Sequence, residues 1–255
     1  MKVVSWNVNS IRARYDRVLN WLEANRPDVV CLQELKCQET EFPFDALSSL
    51  GYFAAVLGQK TYNGVAILAL EPPEDVVCNM DDGVDDPQAR LIAATVRGVR
   101  VVDVYVPNGE KVGSEKWRYK LAWYERLAAW LAAHDPAAPL VLCGDFNIAP
   151  TDLDVARPDK WARTVLCAPP GREALARCVA WGLVDTFRLH HPDGGHYSWW
   201  DYRPPGLRGD DGLRIDQIYA TAPLAARCTA AGVDKEERMG SKPSDHAPIW
   251  ADFDL

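Results

Sequence analysis

Five stretches of this chain set acids, amides or an imidazole at or beside a run of apolar residues. Asn7 and Asn9 follow "KVVSW", Gln33-Glu34 close "DVVCLQE", and Asp145 and Asn147 end "LVLCGDFN". Asp216 lies in "GLRIDQI", and Asp245-His246 open the last apolar run in "SDHAPIW". Hard oxygen donors without a thiolate or histidine cluster suit Mg²⁺, which keeps several waters and takes only one or two carboxylates. A further carboxylate, or an Asp–His pair, can orient and deprotonate a water. Amides and a charged imidazole can donate hydrogen bonds to the oxygens of a phosphoryl group in transfer. Each acid alone reads as a turn former or helix cap; the set reads as phosphoryl-transfer chemistry. Why Asp245 stands directly beside His246 is left open by the residues themselves.

These groups need strands to carry them. "KVVSW", "DVVCLQ", "YFAAVL", "GVAILA", "LIAATV", "VRVVDVYV", "PLVLCG", "RIDQIYA" and "APIWADF" read as strands, several continuously apolar and so buried on both faces. A helix is expected after the candidate N-cap Ser10, through Ile11, Tyr15, Val18, Leu19 and Leu22, ending before Pro27. Another follows Ser114 through Trp117, Leu121, Tyr124, Leu127 and Leu131, ending before Pro136, and a weaker one runs through "REALARCVAW" to Gly182. Segments 71–87 and 203–212 read as long loops. With no linker and no repeat, one domain over residues 1–255 is the economical expectation.

Apolar content of 48% suits a folded chain with a sizeable core. The net charge of −8 disfavours a nucleic-acid binder, although a local basic surface can still serve one. Seven cysteines without a CxxC pair read as reduced thiols of a cytoplasmic protein. Neither a secretory leader nor a run of about 18 apolar residues is visible, so no membrane is expected as a partner.

The ordered set "SWNVNSIRAR" (5–14), "CLQELK" (31–36), "YNGVAIL" (62–68), "YVPNG" (105–109), "GDFNIAPTDLD" (144–154), "WGLVDTFR" (181–188), "YSWWDYR" (197–203), "GLRIDQIYA" (212–220) and "KPSDHAPIWADF" (242–253) spans essentially the whole chain. It resembles the exonuclease III family of DNA-repair nucleases, the apurinic/apyrimidinic (AP) endonucleases of the endonuclease/exonuclease/phosphatase superfamily. "GDFN" and "SDH" are shared across that superfamily, whereas "WNVNSIRA", "PTDLD" and "WWDYR" with "GLRID" narrow the resemblance to the repair branch. It implies an α/β fold of the deoxyribonuclease I type, a four-layer sandwich of two mixed β-sheets flanked by helices.

By the same resemblance, Glu34 is the principal Mg²⁺ ligand with Asn7 and Asp245 close to the ion, Mn²⁺ being able to substitute. Asp145 activates or positions the attacking water, Asn147 holds a phosphate oxygen, and Tyr105 lies near the scissile phosphate. His246 pairs with the distant Asp216, which leaves open whether Asp145 or the pair takes the water's proton. Trp199, Leu213 and Ile215 match an apolar pocket for a flipped-out, base-free sugar; for Trp199 and Trp200, plain core packing is the competing account. Asn108 matches a wedge into the duplex, and Lys36, Lys116 and Arg203 contact phosphates. Implied activities are incision of duplex DNA 5′ of abasic sites, 3′→5′ exonuclease, and 3′-phosphodiesterase or 3′-phosphatase. The expected partner is duplex DNA with abasic sites or blocked 3′ ends, acted on by a monomer. Two features depart from the pattern: Asn9 stands where many relatives have Asp, and "GLRGDDG" is acidic beside the sugar pocket.

Competing readings are a superfamily phosphatase for a non-DNA phosphoester and a non-catalytic nucleic-acid-binding regulator. The regulator is disfavoured because Glu34, Asp145, Asn147, Asp216, Asp245 and His246 are all present. Glu34→Ala is expected to raise the Mg²⁺ concentration for half-maximal rate, since it removes an oxygen ligand; a metal titration that superimposes on wild type would remove Glu34 from the ligand set.

Overall fold

A computed structural model describes all 255 residues. The strands are β1 (Lys2–Asn7), β2 (Val29–Gln33), β3 (Phe53–Leu57), β4 (Val65–Ala69), β5 (Glu74–Cys78), β6 (Leu91–Val96) and β7 (Val99–Tyr105). They continue with β8 (Leu140–Asp145), β9 (Leu183–Asp185), β10 (Trp199–Trp200), β11 (Gly212–Leu213), β12 (Asp216–Thr221), β13 (Cys228–Val233) and β14 (Ile249–Phe253). The helices are α1 (Tyr15–Asn25), α2 (Phe44–Ser49), α3 (Glu115–Ala132), α4 (Pro158–Trp161), α5 (Pro169–Val179), α6 (Thr186–His190) and α7 (Ala222–Ala225).

Two six-stranded sheets form, in the orders β13-β14-β1-β2-β4-β3 and β5-β6-β7-β8-β12-β9. Both are mixed: β1 runs parallel to β2 and β7 parallel to β8, while their other neighbours are antiparallel. Alternation along each strand decides which side chains meet. Val3, Cys31, Val65 and Ile67 of the first sheet share one core with Ile92, Val101, Val141, Cys143 and Ile218 of the second. The opposite faces carry helices: Val18, Trp21, Leu22 and Leu47 pack on Val4, Val30 and Leu68, and Tyr124, Leu127, Leu131 and Leu175 pack on Val102 and Leu142. The result is the expected α/β sandwich of four layers. Closing each such Val, Leu or Ile side chain contributes roughly 1.5–3 kcal/mol.

Register then decides where the chemistry lies. Asn7 is level with Gln33, Tyr105 with Asp145, and Asp145 with Asp216. The polar ends of β1, β2, β7, β8 and β12 thus gather at one end of the sandwich.

The helix after Ser114 begins at Glu115, where the Ser114 hydroxyl accepts from the Trp117 N–H. The first helix starts later than its periodicity suggests, at Tyr15. Ser10 is instead held at φ +88°, with the Ser10 and Ile11 N–H groups donating to the carbonyls of Glu34 and Leu35. The turn that carries Glu34 overrides the local helical signal. β5 falls inside the expected loop 71–87; it is an exposed edge strand and lacks an apolar face to announce it.

A buried ion cluster ties the loops behind the site. Arg214, 1% exposed, donates from Nε to Asp154 at 2.6 Å and from Nη2 to Asp185 at 2.6 Å, and Arg188 joins at Asp154. Asp185 also caps α6 through the Phe187 and Arg188 N–H groups. Removing one member strands buried charges, which costs about 3–5 kcal/mol. Arg214→Ala is therefore expected to lower unfolding stability by that amount in urea titration; a loss under 1 kcal/mol would mean the cluster is balanced without it.

Candidate active site

The site is built on tight backbone. At Gly144 (φ +143°) a Cβ would stand 1.9 Å from the Val104 carbonyl oxygen, so only glycine lets β8 lie this close to β7 before Asp145. Glu34 and Asn147 both sit at positive φ, +53° and +51°, turning their side chains back over the strand ends. Asp145 Oδ1 accepts from the Asn147 N–H at 2.8 Å, and Oδ2 accepts from the side-chain amides of Asn7 and Asn147 at 2.9 and 3.2 Å.

His246 turns away from its sequence neighbour. Its Nδ1 lies 3.0 and 2.9 Å from the two carboxylate oxygens of Asp216, whose Oδ2 also accepts from Ser198 Oγ at 2.6 Å. Its Nε2 faces Asp145 Oδ2 at 3.8 Å. Asp245 points elsewhere, accepting from Asn9 Nδ2 at 2.9 Å and Trp199 Nε1 at 3.0 Å.

Burial alone would lower the imidazole pKa, but Asp216 and then Asp145 outweigh it and hold His246 up at about 10. Burial raises Asp145 to about 7, with His246 opposing and Asp216 and Glu34 reinforcing the rise. Burial would also raise Asp245, yet His246, Trp199 and Asn9 together keep it low. The phenol of Tyr105 is pushed well above its usual value by burial and by the charges of Glu34 and Asp145, so it stays a neutral donor.

Ligand atoms of Glu34, Asp145 and His246 lie within 4.8 Å of one another. Two carboxylates at that separation fit a hard divalent cation; His246, charged and bonded to Asp216, offers it no lone pair. Asn7 presents its N–H₂ to Glu34 Oε1 at 2.9 Å and to Asp145, while its Oδ1 accepts from the Asn9 N–H at 3.0 Å and keeps a second lone pair. It orients the two carboxylates. Asp245, held by Asn9 and Trp199, is not one of the three, whereas Asp145, expected to handle water, is.

The other expected residues divide. Lys36 reaches into the site, 2.9 Å from Glu34 Oε2 and 2.6 Å from Asn9 Oδ1. Lys116 and Arg203 are exposed and paired with Glu110 at 2.9 Å and Asp201 at 2.7 Å. Such surface pairs are weak and exchange cheaply for a phosphate. Asn108 donates to Asn147 Oδ1 at 3.0 Å. Leu213 and Ile215 are 0% and 2% exposed, packed with Trp117, Ala149 and Val155, so they back the expected sugar pocket without presenting a surface to it. Trp199 alone of the three is partly open, with Trp161 edge-on at 5.7 Å; Trp200 is wholly core. In the acidic loop, Asp211 is 2% exposed and bonded to Lys160 and Trp161, and Asp210 is paired with Lys235. Much of its charge is therefore already answered.

Sequence reasoning missed a cleft of about 800 Å³ beside Tyr105 and Asn108, lined also by Tyr62, Arg90 and Lys116. Arg90 stacks its guanidinium 4.8 Å from the Tyr105 ring and donates to the Tyr105 carbonyl at 3.0 Å. Lys120 was missed too, and its signal was available: it falls on the apolar side of α3, three residues after Trp117 and four before Tyr124.

The pattern of the Endonuclease/Exonuclease/phosphatase family matches residues 4–246. Exodeoxyribonuclease III of Haemophilus influenzae is 37% identical over 99% of this chain and 100% of its own length. An AP endonuclease structure from Archaeoglobus fulgidus superimposes with a TM-score of 0.97 at 42% identity, covering 100% of both chains. A 3′ phosphatase from Neisseria, solved with a product DNA hairpin, superimposes equally well, with a TM-score of 0.97, 43% identity and 100% coverage of both chains.

With a folded pKa near 10 against an ordinary value of 6.5, the charge pair of His246 stabilises the fold fully only below about pH 6.5, and this is lost progressively as pH rises from there through about 10. Asp216→Asn removes the carboxylate that contributes most to this rise. By NMR, the His246 ring is expected to titrate at clearly lower pH in the variant than in wild type; an unmoved titration would mean that Asp145, not Asp216, holds the imidazolium.

Proposed function

From its membership of the endonuclease/exonuclease/phosphatase family, to whose exonuclease III-type branch this chain belongs, we propose the following reading of its activity and site. The protein is a Mg²⁺-dependent nuclease of the AP endonuclease/exodeoxyribonuclease III type. It hydrolyses the phosphodiester 5′ of abasic sites in duplex DNA and trims or unblocks 3′ ends. The observation carrying this reading is the convergence of Glu34 and Asp145 beside the Asp216–His246 pair, at the lip of a cleft lined by Arg90 and Lys116.

Glu34 and Asp145 hold the dication, with Asn7 fixing both carboxylates. When bound, Mg²⁺ polarises the phosphoryl oxygen and offsets developing negative charge. Asp145, fixed by Asn7 and Asn147, positions the attacking water and takes its proton. His246, kept charged by Asp216, donates to an equatorial phosphate oxygen, and the Asn147 amide, which rests on the Val106 carbonyl and more loosely on Asp145, turns its second N–H to the phosphate. Tyr105 donates its phenolic proton toward the same phosphate. Lys36, Lys116, Arg203 and Asn108 hold the duplex, and Trp199 meets the extruded sugar. Asp245, held in place by Asn9 and Trp199, and the Asn7 oxygen complete the oxygen donors near the ion. Mn²⁺ is expected to replace Mg²⁺ at such an oxygen site.

Residues 1–255 act as one domain, supported by the core shared between the sheets. No helix is long and apolar enough to cross a membrane; all seven cysteines are free, which supports work in a reducing compartment such as the cytoplasm. Of the three residues expected at the sugar, Leu213 and Ile215 are closed off, and Trp199, braced by Trp161, offers the surface.

The test is an end-labelled duplex with one tetrahydrofuran abasic analogue, beside a nicked duplex ending in a 3′-phosphate. Each is incubated with Mg²⁺ or EDTA, with Asp145→Asn as control. The analogue cannot undergo β-elimination, so a 3′-hydroxyl product at that site reports hydrolysis. Mg²⁺-dependent incision lost in the variant is expected; phosphate removal without incision would leave only the 3′-end activity, and neither would sink the nuclease reading.

A further inference from the structure

Lys120 carries a charge where the fold has no need of one. Its side chain is 0% exposed on α3, and its Nζ donates to three backbone carbonyls, those of Asn108 at 3.1 Å, Asn147 at 2.6 Å and Val165 at 2.8 Å. The three belong to separate segments: the loop after β7, the turn after β8, and the stretch between α4 and α5. Gly109 (φ +93°) lets the first loop wrap close, since a Cβ there would stand 3.1 Å from Lys120 Cδ and from Trp117.

Burying an ammonium costs several kcal/mol, and well-packed apolar residues often replace buried ions at no loss of stability. Packing therefore does not account for this group, and its geometry does. Burial pushes Lys120 down to about 7, with Asp145 opposing, but only the ammonium has a proton for each of three acceptors. Two of the three residues it holds are also joined by their side chains, Asn108 donating to Asn147, which in turn donates to Asp145. The third segment also supplies the Leu166 carbonyl that accepts from the Ala149 N–H, and it packs with Trp199, Leu213 and Ile215.

We propose that Lys120 is a positioning residue for hydrolysis, an ammonium tripod that locks the phosphate-facing Asn147, the Asn108 loop and the wall behind Trp199 into one rigid unit. This rests on the nuclease reading, and acts through the direction in which the Asn147 amide points. A misplacement of about 1 Å at a reacting group can cost about 10²-fold in rate.

The test is a double-mutant cycle of Lys120→Met with Asn147→Ala, measured as kcat and KM on the most rapidly cleaved of the two duplexes above. Lys120→Met leaves three carbonyls without their donor, so it is expected to fold with a lowered Tm and to lose about 10²-fold, mainly in kcat, at a temperature well below that Tm. In the Asn147→Ala background the same substitution is expected to do little more, because its effect passes through Asn147. Faster hydrogen exchange in segments 106–109, 147–149 and 163–167 together, which needs no activity, is the companion readout. Lys120→Gln, which keeps two N–H donors, is expected to recover part of the rate and carries the cycle if the methionine variant does not fold. An unchanged kcat, or losses that simply multiply with those of Asn147→Ala, overturns the proposal. So does failure of both variants to fold, which would assign Lys120 to the fold alone. An inactive wild type would instead count against the nuclease reading.

Discussion

Three carboxylates, Glu34, Asp145 and Asp216, converge at the end of a dry sandwich, and a single imidazolium keeps them there. Without it, like charges in a poorly solvated site would drive one acid to take up a proton or swing out to water. His246 lies between Asp216 and Asp145, and at 3.8 Å its attraction to Asp145 is of order 4 kcal/mol at an effective dielectric of about 20. Burial and the neighbouring acids push Asp145 up while His246 opposes the rise, and Asp216 is committed to the imidazole. Catalytic and structural roles are divided among chemically identical side chains by position alone.

The scaffold's task follows from this. Asp145 and Asp216 are directly paired across β8 and β12, and Tyr105 is paired with Asp145 across β7 and β8, so sheet register sets their spacing to within a hydrogen-bond length. Asn7 crosses from the first sheet to the second, donating to Glu34 on its own sheet and to Asp145 on the facing one. The gap between sheets, filled elsewhere by Val, Ile, Cys and Ala, is closed at this end by an amide. Behind the site, Arg214 fixes the segment leading to Asp216, so the buried ion cluster and the buried active acids lie on one continuous piece of chain.

What could be read in the sequence divides along physical lines. Strands buried on both faces announce themselves as unbroken apolar runs, and the acids at their ends stand out against them; that covers β1, β2, β4, β8 and β12. The Ser114 cap is equally local, since hydroxyl and recipient N–H are three residues apart. What is settled between distant segments was not legible. The late start of α1 depends on the Glu34 turn, and the role of Asn7 depends on which of its amide atoms the Asn9 N–H selects. Leu213 and Ile215 look alike in sequence whether they line a pocket or stand behind it. Lys120 is intermediate: a cation on an apolar helix face is visible, but its three carbonyl partners lie 12, 27 and 45 residues away.

The charge of −8 is the remaining tension, because DNA affinity grows from phosphate neutralisation. Its resolution is local. Asp82 and Asp86 are clamped by Arg126 and Asp211 by Lys160, so acids that contribute to the total project less field than their number suggests. Around the site the reverse holds. Lys116 and Arg203 are each tied to a single exposed or half-exposed carboxylate by a pair that a polyanion can break at little cost. Binding is then a swap of intramolecular for intermolecular pairs as well as release of counterions. On the reading proposed above, a protein built this way gains less from each phosphate than a basic nuclease does, and draws more of its selectivity from the end of the sandwich that carries Asn108, Asn147 and Trp199.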